Sequence, residues 1–160
     1  NYQKNYWLKR WSEKLIALAD FVKRYFYDKK CYQIKRMNNK QNKDLSPEQN
    51  QILYNEGTEP PGSSLLNKEK REGNYHCAGC GTKLFSSSMK YESGSGWPSF
   101  FSSLPDVFET KIDMNTGYER IEYHCKKCGG HHGHVFNDGP KPTGKRFCNN
   151  GLCLVFKPRT

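Results

Sequence analysis

Long apolar runs are missing from this sequence. Nowhere does it reach the roughly 18 to 20 consecutive apolar residues of a membrane span, which excludes a helical integral membrane protein. Hydrophobic residues fill only 34% of the 160 positions, so a core that takes in the whole chain is not expected. There is no glycine repeat and no low-complexity tract, which excludes collagen-like and compositionally biased classes. Acidic residues are also scarce, 16 against 26 Lys and Arg. That shortage is local. Residues 1–45 carry 12 basic and 4 acidic side chains, whereas residues 46–160 carry 14 and 12. The body is therefore nearly neutral, and no specific nucleic-acid partner is expected of it. The chain does not begin with methionine, as expected of a processed or truncated chain, and it shows no secretory apolar region ending in a small-residue cleavage site.

What is present compensates in part. Ten Tyr and nine Phe supply large buried areas, enough for one modest domain with an appended arm. Between Tyr6 and Tyr27 the residues Trp7, Trp11, Leu15, Leu18, Val22 and Phe26 recur at spacings of three or four, with Lys9, Arg10, Lys14, Lys23 and Arg24 between them. That spacing predicts a basic amphipathic helix. Residues 28–43 are polar, basic and rich in Asn and Lys, and read as a linker. The domain reading is an N-terminal arm over residues 1–44 and a body over residues 45–160. At Ser46-Pro47-Glu48-Gln49 an N-cap, a proline in the first turn and a closing Gln predict a short helix to about Asn55, with Gly57 just past its end. Beyond the turn Glu59-Pro60-Pro61-Gly62 the pattern is that of strands. Phe108, Thr110 and Ile112 alternate, Asp113 to Gly117 connect, and Ile121, Tyr123 and Cys125 alternate again, which predicts a hairpin. Short strands are expected at His134–Phe136 and Cys153–Phe156.

The seven cysteines carry the chemistry. Cys77-Ala-Gly-Cys80-Gly81 and Cys125-Lys-Lys-Cys128-Gly129 are matched knuckles. Two residues between the sulfurs let both thiolates face one ion, and the following glycine allows the tight turn. Four thiolates form a closed tetrahedral set suited to one structural Zn²⁺. The competing readings are two redox pairs or unrelated buried cysteines. Paired knuckles also indicate a reducing compartment rather than a disulfide framework. Of the remaining three, Cys148 follows Lys145 and Arg146, which can stabilise a thiolate, and lies downstream of His131-His132-Gly133-His134. A thiol near imidazoles and a guanidinium fits nucleophilic catalysis, and an inert strand cysteine beside structural histidines fits equally. Trp97, between Gly96 and Pro98, reads as a core residue or as an exposed wall.

The body resembles the B-type methionine sulfoxide reductases. The resemblance rests on Leu45-Ser-Pro-Glu-Gln49, Glu56-Gly-Thr-Glu-Pro-Pro61, Cys77-Ala-Gly-Cys-Gly-Thr82, Ser93-Gly-Ser-Gly-Trp-Pro-Ser-Phe100, His131-x-Gly-His-Val-Phe136, Asp138-Gly-Pro-x-Pro-Thr-Gly144 and Arg146-Phe-Cys-x-Asn150. It implies a mainly β domain of two small antiparallel sheets, with zinc-stapled hairpins, short N-terminal helices and the basic helical arm. It implies reduction of methionine-R-sulfoxide, free or in proteins, by thiol chemistry that repairs oxidised methionine. On this resemblance Cys148 attacks the sulfoxide sulfur and becomes a sulfenic acid. His134 and His131 bind or protonate the oxygen, Asn150 positions it, and Arg146 favours the thiolate. Asp138 orients a histidine. Trp97 walls the S-methyl pocket, with Phe156 as a second wall or plain core. Cys77, Cys80, Cys125 and Cys128 hold the zinc. No role falls to His132.

The sequence departs from that pattern at Ser95, where many relatives carry the resolving cysteine. Three routes for recycling remain: Cys31 in the linker, Cys153, or direct attack on the sulfenic acid by thioredoxin or another thiol. Cys153 lies five positions from Cys148, and on a continuing strand that odd offset points the two side chains to opposite faces, which reads as packing. A monomer is expected, in a reducing intracellular compartment, the cytoplasm first and an organelle reached through the arm second. The rival from another class is a zinc-stabilised binding module that uses the basic arm on nucleic acid or an acidic membrane. It leaves Trp97, the histidines and Cys148 without a shared purpose.

Overall fold

Helix α1 (Pro47–Asn55) starts on the expected cap. The Ser46 hydroxyl accepts from the Gln49 backbone N–H at 3.2 Å, and the Gln49 side chain accepts from the Ser46 N–H at 3.0 Å, so two of the orphan donors at the helix start are satisfied. The helix ends at Asn55, as expected. Glu56 takes the left-handed conformation, φ 56°, and Gly57 follows with its N–H on the Gln51 carbonyl. The computed structural model describes residues 44–160. The helix expected over Tyr6–Tyr27 and the linker with Cys31 lie outside those residues.

Nine strands follow: β1 (Gly73–Cys77), β2 (Lys83–Ser86), β3 (Lys90–Tyr91), β4 (Ser99–Phe100), β5 (Phe108–Asp113), β6 (Arg120–Cys125), β7 (His131–Phe136), β8 (Arg146–Asn149) and β9 (Leu154–Pro158). They form a three-stranded sheet, β2-β1-β9, and a six-stranded sheet, β3-β4-β8-β7-β6-β5. Every pairing is antiparallel. Aromatic side chains fill the space between the sheets. Phe85 of β2 stacks on Phe100 of β4 with centroids 4.0 Å apart, and Tyr75 of β1 meets the same ring edge-on at 4.9 Å. Buried rings of this kind contribute beyond their area, which is how a chain with so few aliphatic residues closes a core. Helix α1 adds Ile52 and Leu53 to it.

The predicted hairpin is present, with Phe108 opposite Cys125 and Asp113 opposite Arg120. Its alternation misleads in one respect. Ile112 and Ile121 are direct partners yet exposed, while Glu122 and His124 between the apolar positions are buried. The burial is confined to β6 and to Asp113, since Glu109 and Lys111 on β5 are exposed. Strand β7 begins at His131 rather than His134. Cys153 belongs to a single 3-10 turn, Gly151–Cys153, so the continuous strand behind the five-residue offset argument does not exist. Cys153 is nonetheless buried, with its sulfur on the His131 carbonyl at 3.3 Å.

Candidate active site and metal centre

Both knuckles are hairpin turns. The first joins β1 to β2 and the second joins β6 to β7, so one comes from each sheet. In each, a glycine at φ 72° (Gly81, Gly129) returns its N–H to the carbonyl of the first cysteine, a conformation that costs little only without a Cβ. The four sulfurs converge within 4.8 Å of one another. Cys77 and Cys128 are 3.6 Å apart, as are Cys80 and Cys125. Zinc–sulfur bonds of about 2.3 Å place tetrahedral ligand sulfurs roughly 3.8 Å from each other, so the four thiols fit one ion. His132, to which the sequence assigned nothing, is fully buried against this cluster. Its Nε2 lies 3.4 Å from the Cys77 sulfur and its Nδ1 3.2 Å from Asn149 Oδ1, next to Cys148.

Cys148 sits in β8, and strand pairing places it in a row that crosses the whole six-stranded sheet. Lys111, Glu122, His134, Cys148, Ser99 and Tyr91 are successive direct partners on β5, β6, β7, β8, β4 and β3. Direct antiparallel partners share a face, with Cβ atoms about 4.5–5.5 Å apart. Thiol and imidazole are therefore neighbours by register. Gly133, at φ 148°, lets β7 approach so closely: a Cβ there would collide with the Cys148 carbonyl oxygen. Burial pushes the Cys148 thiol up, while hydrogen bonding from Ser95 and the Arg146 charge push the other way. The Ser95 hydroxyl is 3.9 Å from the sulfur.

His131 and His134 are three residues apart, an odd offset that would put them on opposite faces of a regular strand. A bulge resolves this. Tyr123 pairs with Gly133 and the next residue, His124, pairs with His131, so His132 is the extra residue and turns into the core. The two imidazole rings then lie 5.7 Å apart on one face. His134 Nε2 meets Asp113 Oδ2 at 2.9 Å, and Arg120 holds the same oxygen at 2.6 Å. Burial lowers the His134 pKa, the Asp113 hydrogen bond raises it, and the Arg120 charge lowers it again; the net is downward. Hydrogen bonds from the Asn115 backbone and from His134 hold the Asp113 carboxyl down at about 2. His131 Nδ1 contacts Glu122 Oε1, which also lies 3.1 Å from His124 Nε2.

Two expected roles need correction. Asp138 does not reach a histidine. It takes a two-point pair from Arg146, both contacts at 2.8 Å, because its loop returns beside β8. Asp113, from the hairpin, is the carboxylate on His134. Phe156 is on β9 in the smaller sheet, its ring 4.9 Å from Tyr75 and under the Arg71 guanidinium, so it is a core residue and not a pocket wall. Asn150 is buried and braces backbone, accepting from the Glu59 N–H at 3.1 Å and donating to the His132 carbonyl at 3.2 Å. Trp97 is half-buried, its indole N–H on the Glu59 carbonyl at 3.0 Å. Glu59 is a further residue the sequence did not single out. Its buried carboxylate accepts from the Gly151 and Leu152 N–H groups just past Cys148. Asp113, Arg120, Glu122 and His124 were missed for one reason: they occupy the polar positions of an alternating hairpin, which resemble a solvent face until β7 is paired beside them.

A thiol, paired imidazoles and a four-sulfur cluster now stand on one small β domain, and known proteins are similar to it in sequence. The SelR domain family matches residues 45–158. The chain is 50% identical over 127 residues to the peptide methionine sulfoxide reductase MsrB of Leptospira interrogans, covering 79% of this chain and 97% of that protein. It is 51% identical over 116 residues to the MsrB of Methanosarcina barkeri, covering 72% and 82%. The MsrB of Pseudomonas putida strain W619 is 50% identical over 117 residues, covering 72% and 87%. The chain belongs to the SelR family, with the MsrB proteins. The matched region spans the row of residues from Lys111 to Tyr91 through Cys148 and both cysteine knuckles.

Proposed function

We propose that this chain is an oxidoreductase that reduces methionine-R-sulfoxide, free or within proteins, with Cys148 as the attacking sulfur. The observation that carries the reading is the direct pairing of Cys148 with His134, flanked by Arg146 and by His131. The relatives named as methionine sulfoxide reductases support the substrate class. The Cys148 thiolate attacks the sulfoxide sulfur, and His134, with His131 beside it, supplies a proton to the oxygen. The oxygen passes to Cys148, methionine leaves reduced by two electrons, and Cys148 is left as the sulfenic acid. A second thiol then attacks that sulfur, releasing the oxygen as water and forming a disulfide, which thioredoxin or another dithiol reduces. Asp113 keeps Nε2 of His134 occupied and leaves Nδ1 for the substrate. Trp97 provides an apolar surface for the S-methyl group.

Cys77, Cys80, Cys125 and Cys128 would hold one structural Zn²⁺, a closed set whose contribution is to folding and not to the reaction. The paired knuckles suit a reducing intracellular compartment, where we expect the protein to work as a monomer. The basic arm over residues 1–44 serves targeting or docking. The deciding assay offers the separated R and S epimers of methionine sulfoxide with a dithiol. The R epimer is consumed, the S epimer is not, and Cys148→Ser abolishes turnover. Turnover of the S epimer, or an active Cys148→Ser protein, overturns the reading.

A further inference from the structure

We propose that Glu122, His124 and His131 form a second metal site, separate from the four-cysteine cluster, that takes a divalent transition-metal ion through two imidazole nitrogens and one carboxylate oxygen. One ligand atom from each residue lies within 4.8 Å of the other two. All three residues are buried, at 3%, 5% and 2% exposure. Glu122 and His124 are two apart on β6, and the bulge at His132 swings His131 round to meet them.

Two of the three ligands are held from behind in the way metal ligands are. His124 Nδ1 lies 3.2 Å from the Gly129 carbonyl oxygen. A carbonyl only accepts, so Nδ1 carries a proton and Nε2 is the nitrogen turned toward Glu122. Lys111 Nζ lies 3.0 Å from Glu122 Oε2, which leaves Oε1 turned inward. Oε1 and His131 Nδ1 are in ion-pair range, yet neither makes an aligned hydrogen bond. A carboxylate oxygen and an imidazole nitrogen 3.1 Å apart, both buried, need a shared proton or a metal cation between them.

Two imidazoles and one carboxylate suit Zn²⁺, Co²⁺, Fe²⁺ or Cu²⁺ rather than Mg²⁺ or Ca²⁺, and three protein ligands leave a position open to water. Because His131 also serves the reductase reading above, an ion on its Nδ1 inhibits turnover. That consequence rests on the proposed function, whereas the binding itself does not.

The test titrates the full chain, already carrying its tetrathiolate metal, with Co²⁺ and with Zn²⁺. A second equivalent binds. The added Co²⁺ gives the weak visible bands of a nitrogen- and oxygen-ligated ion, without the intense thiolate charge-transfer bands of a four-sulfur site. His124→Gln and Glu122→Gln each weaken the second equivalent at least tenfold and keep the first. In the wild type, Zn²⁺ shifts the imidazole ¹⁵N resonances of His124 Nε2 and His131 Nδ1, a readout that needs no variant. Saturation at one equivalent, a second equivalent indifferent to both substitutions, or unmoved imidazole resonances would overturn the site and leave the three side chains a proton-linked cluster.

Discussion

Cys148 and His134 are direct cross-strand partners on β8 and β7, with Gly133 allowing the two backbones to close on each other. The thiol and the imidazole are thus fixed by sheet register rather than by a loop, a rigid way to hold groups meant to react. His134→Asn keeps a polar side chain of similar reach and removes the titratable group. Activity is expected to fall by roughly 10²-fold or more, the usual scale of lost acid–base help. His131→Asn should be impaired as well. Unchanged steady-state rates in the His134 variant would show that the proton comes from elsewhere.

The Asp113–His134 contact adds a pH signature. A step that needs the protonated ring weakens as pH rises through the pKa of His134. Burial lowers that pKa, Asp113 raises it, and the neighbouring Arg120 and His131 charges lower it. Asp113→Asn removes the raising contribution, so the alkaline fall in kcat should move to lower pH. Activity lost at neutral pH should partly return in acid. Superimposable pH profiles of the wild type and the variant would assign Asp113 to the hairpin alone.

Trp97 lies between Glu59 and the solvent, with its indole N–H anchored and its ring half-exposed. Trp97→Ala should raise KM and lower kcat for the R epimer while zinc content stays at the wild-type level. A variant that lost only thermal stability would place the ring in the core.

The cysteine knuckles, the capped helix and the Phe108–Cys125 hairpin were legible because each rests on local spacing: C-x-x-C-G, the Ser46–Gln49 box, and alternation with period two. Cys148 and the histidines needed the family resemblance, since their partnership is set by strand order across residues far apart in the chain. The least legible part was the charged layer of Asp113, Arg120 and Glu122. Polar residues at alternating positions normally face water, but here β7 pairs beside them, with His134 on Glu122 and Asp113 and the bulge seating His131 against Glu122. The assignment of Asp138 to a histidine came with the resemblance, and the return of its loop to Arg146 takes the carboxylate elsewhere.

The four sulfurs join the turn of a hairpin in one sheet to the turn of a hairpin in the other. Metal loss should therefore loosen the contact between sheets and not only a local turn, because binding and folding are coupled at such sites. Serine at Cys77, Cys80, Cys125 or Cys128 is expected to lower both zinc content and the unfolding temperature. Elemental analysis beside a thermal melt reads both. Retention of one zinc per chain in all four variants would exclude the site.

Recycling is where this chain differs most from the pattern its sequence resembles. Ser95 stands 3.9 Å from the Cys148 sulfur, and a hydroxyl there cannot condense with a sulfenic acid. Cys153 is buried against the His131 carbonyl, with burial pushing its thiol well up, so it is a poor nucleophile as placed. That leaves Cys31 or an external thiol. Fifteen positions separate Cys31 from Ser46, and an extended chain of that length reaches roughly 50 Å, so distance alone does not exclude Cys31. The first turnover needs only Cys148, its proton donor and the pocket, and Cys31→Ser should leave it intact. Later turnovers need a second sulfur, so Cys31→Ser should slow thioredoxin-supported cycling more than cycling with a small dithiol. Peptide mapping of the wild type after substrate without reductant should show a Cys31–Cys148 disulfide. Ser95→Cys supplies the comparison: it should trap a disulfide between the introduced thiol and Cys148 instead, and restore thioredoxin-supported cycling to the Cys31→Ser protein. Equal thioredoxin-supported rates with and without Cys31, and no crosslink to it, would make direct attack on the sulfenic acid the mechanism.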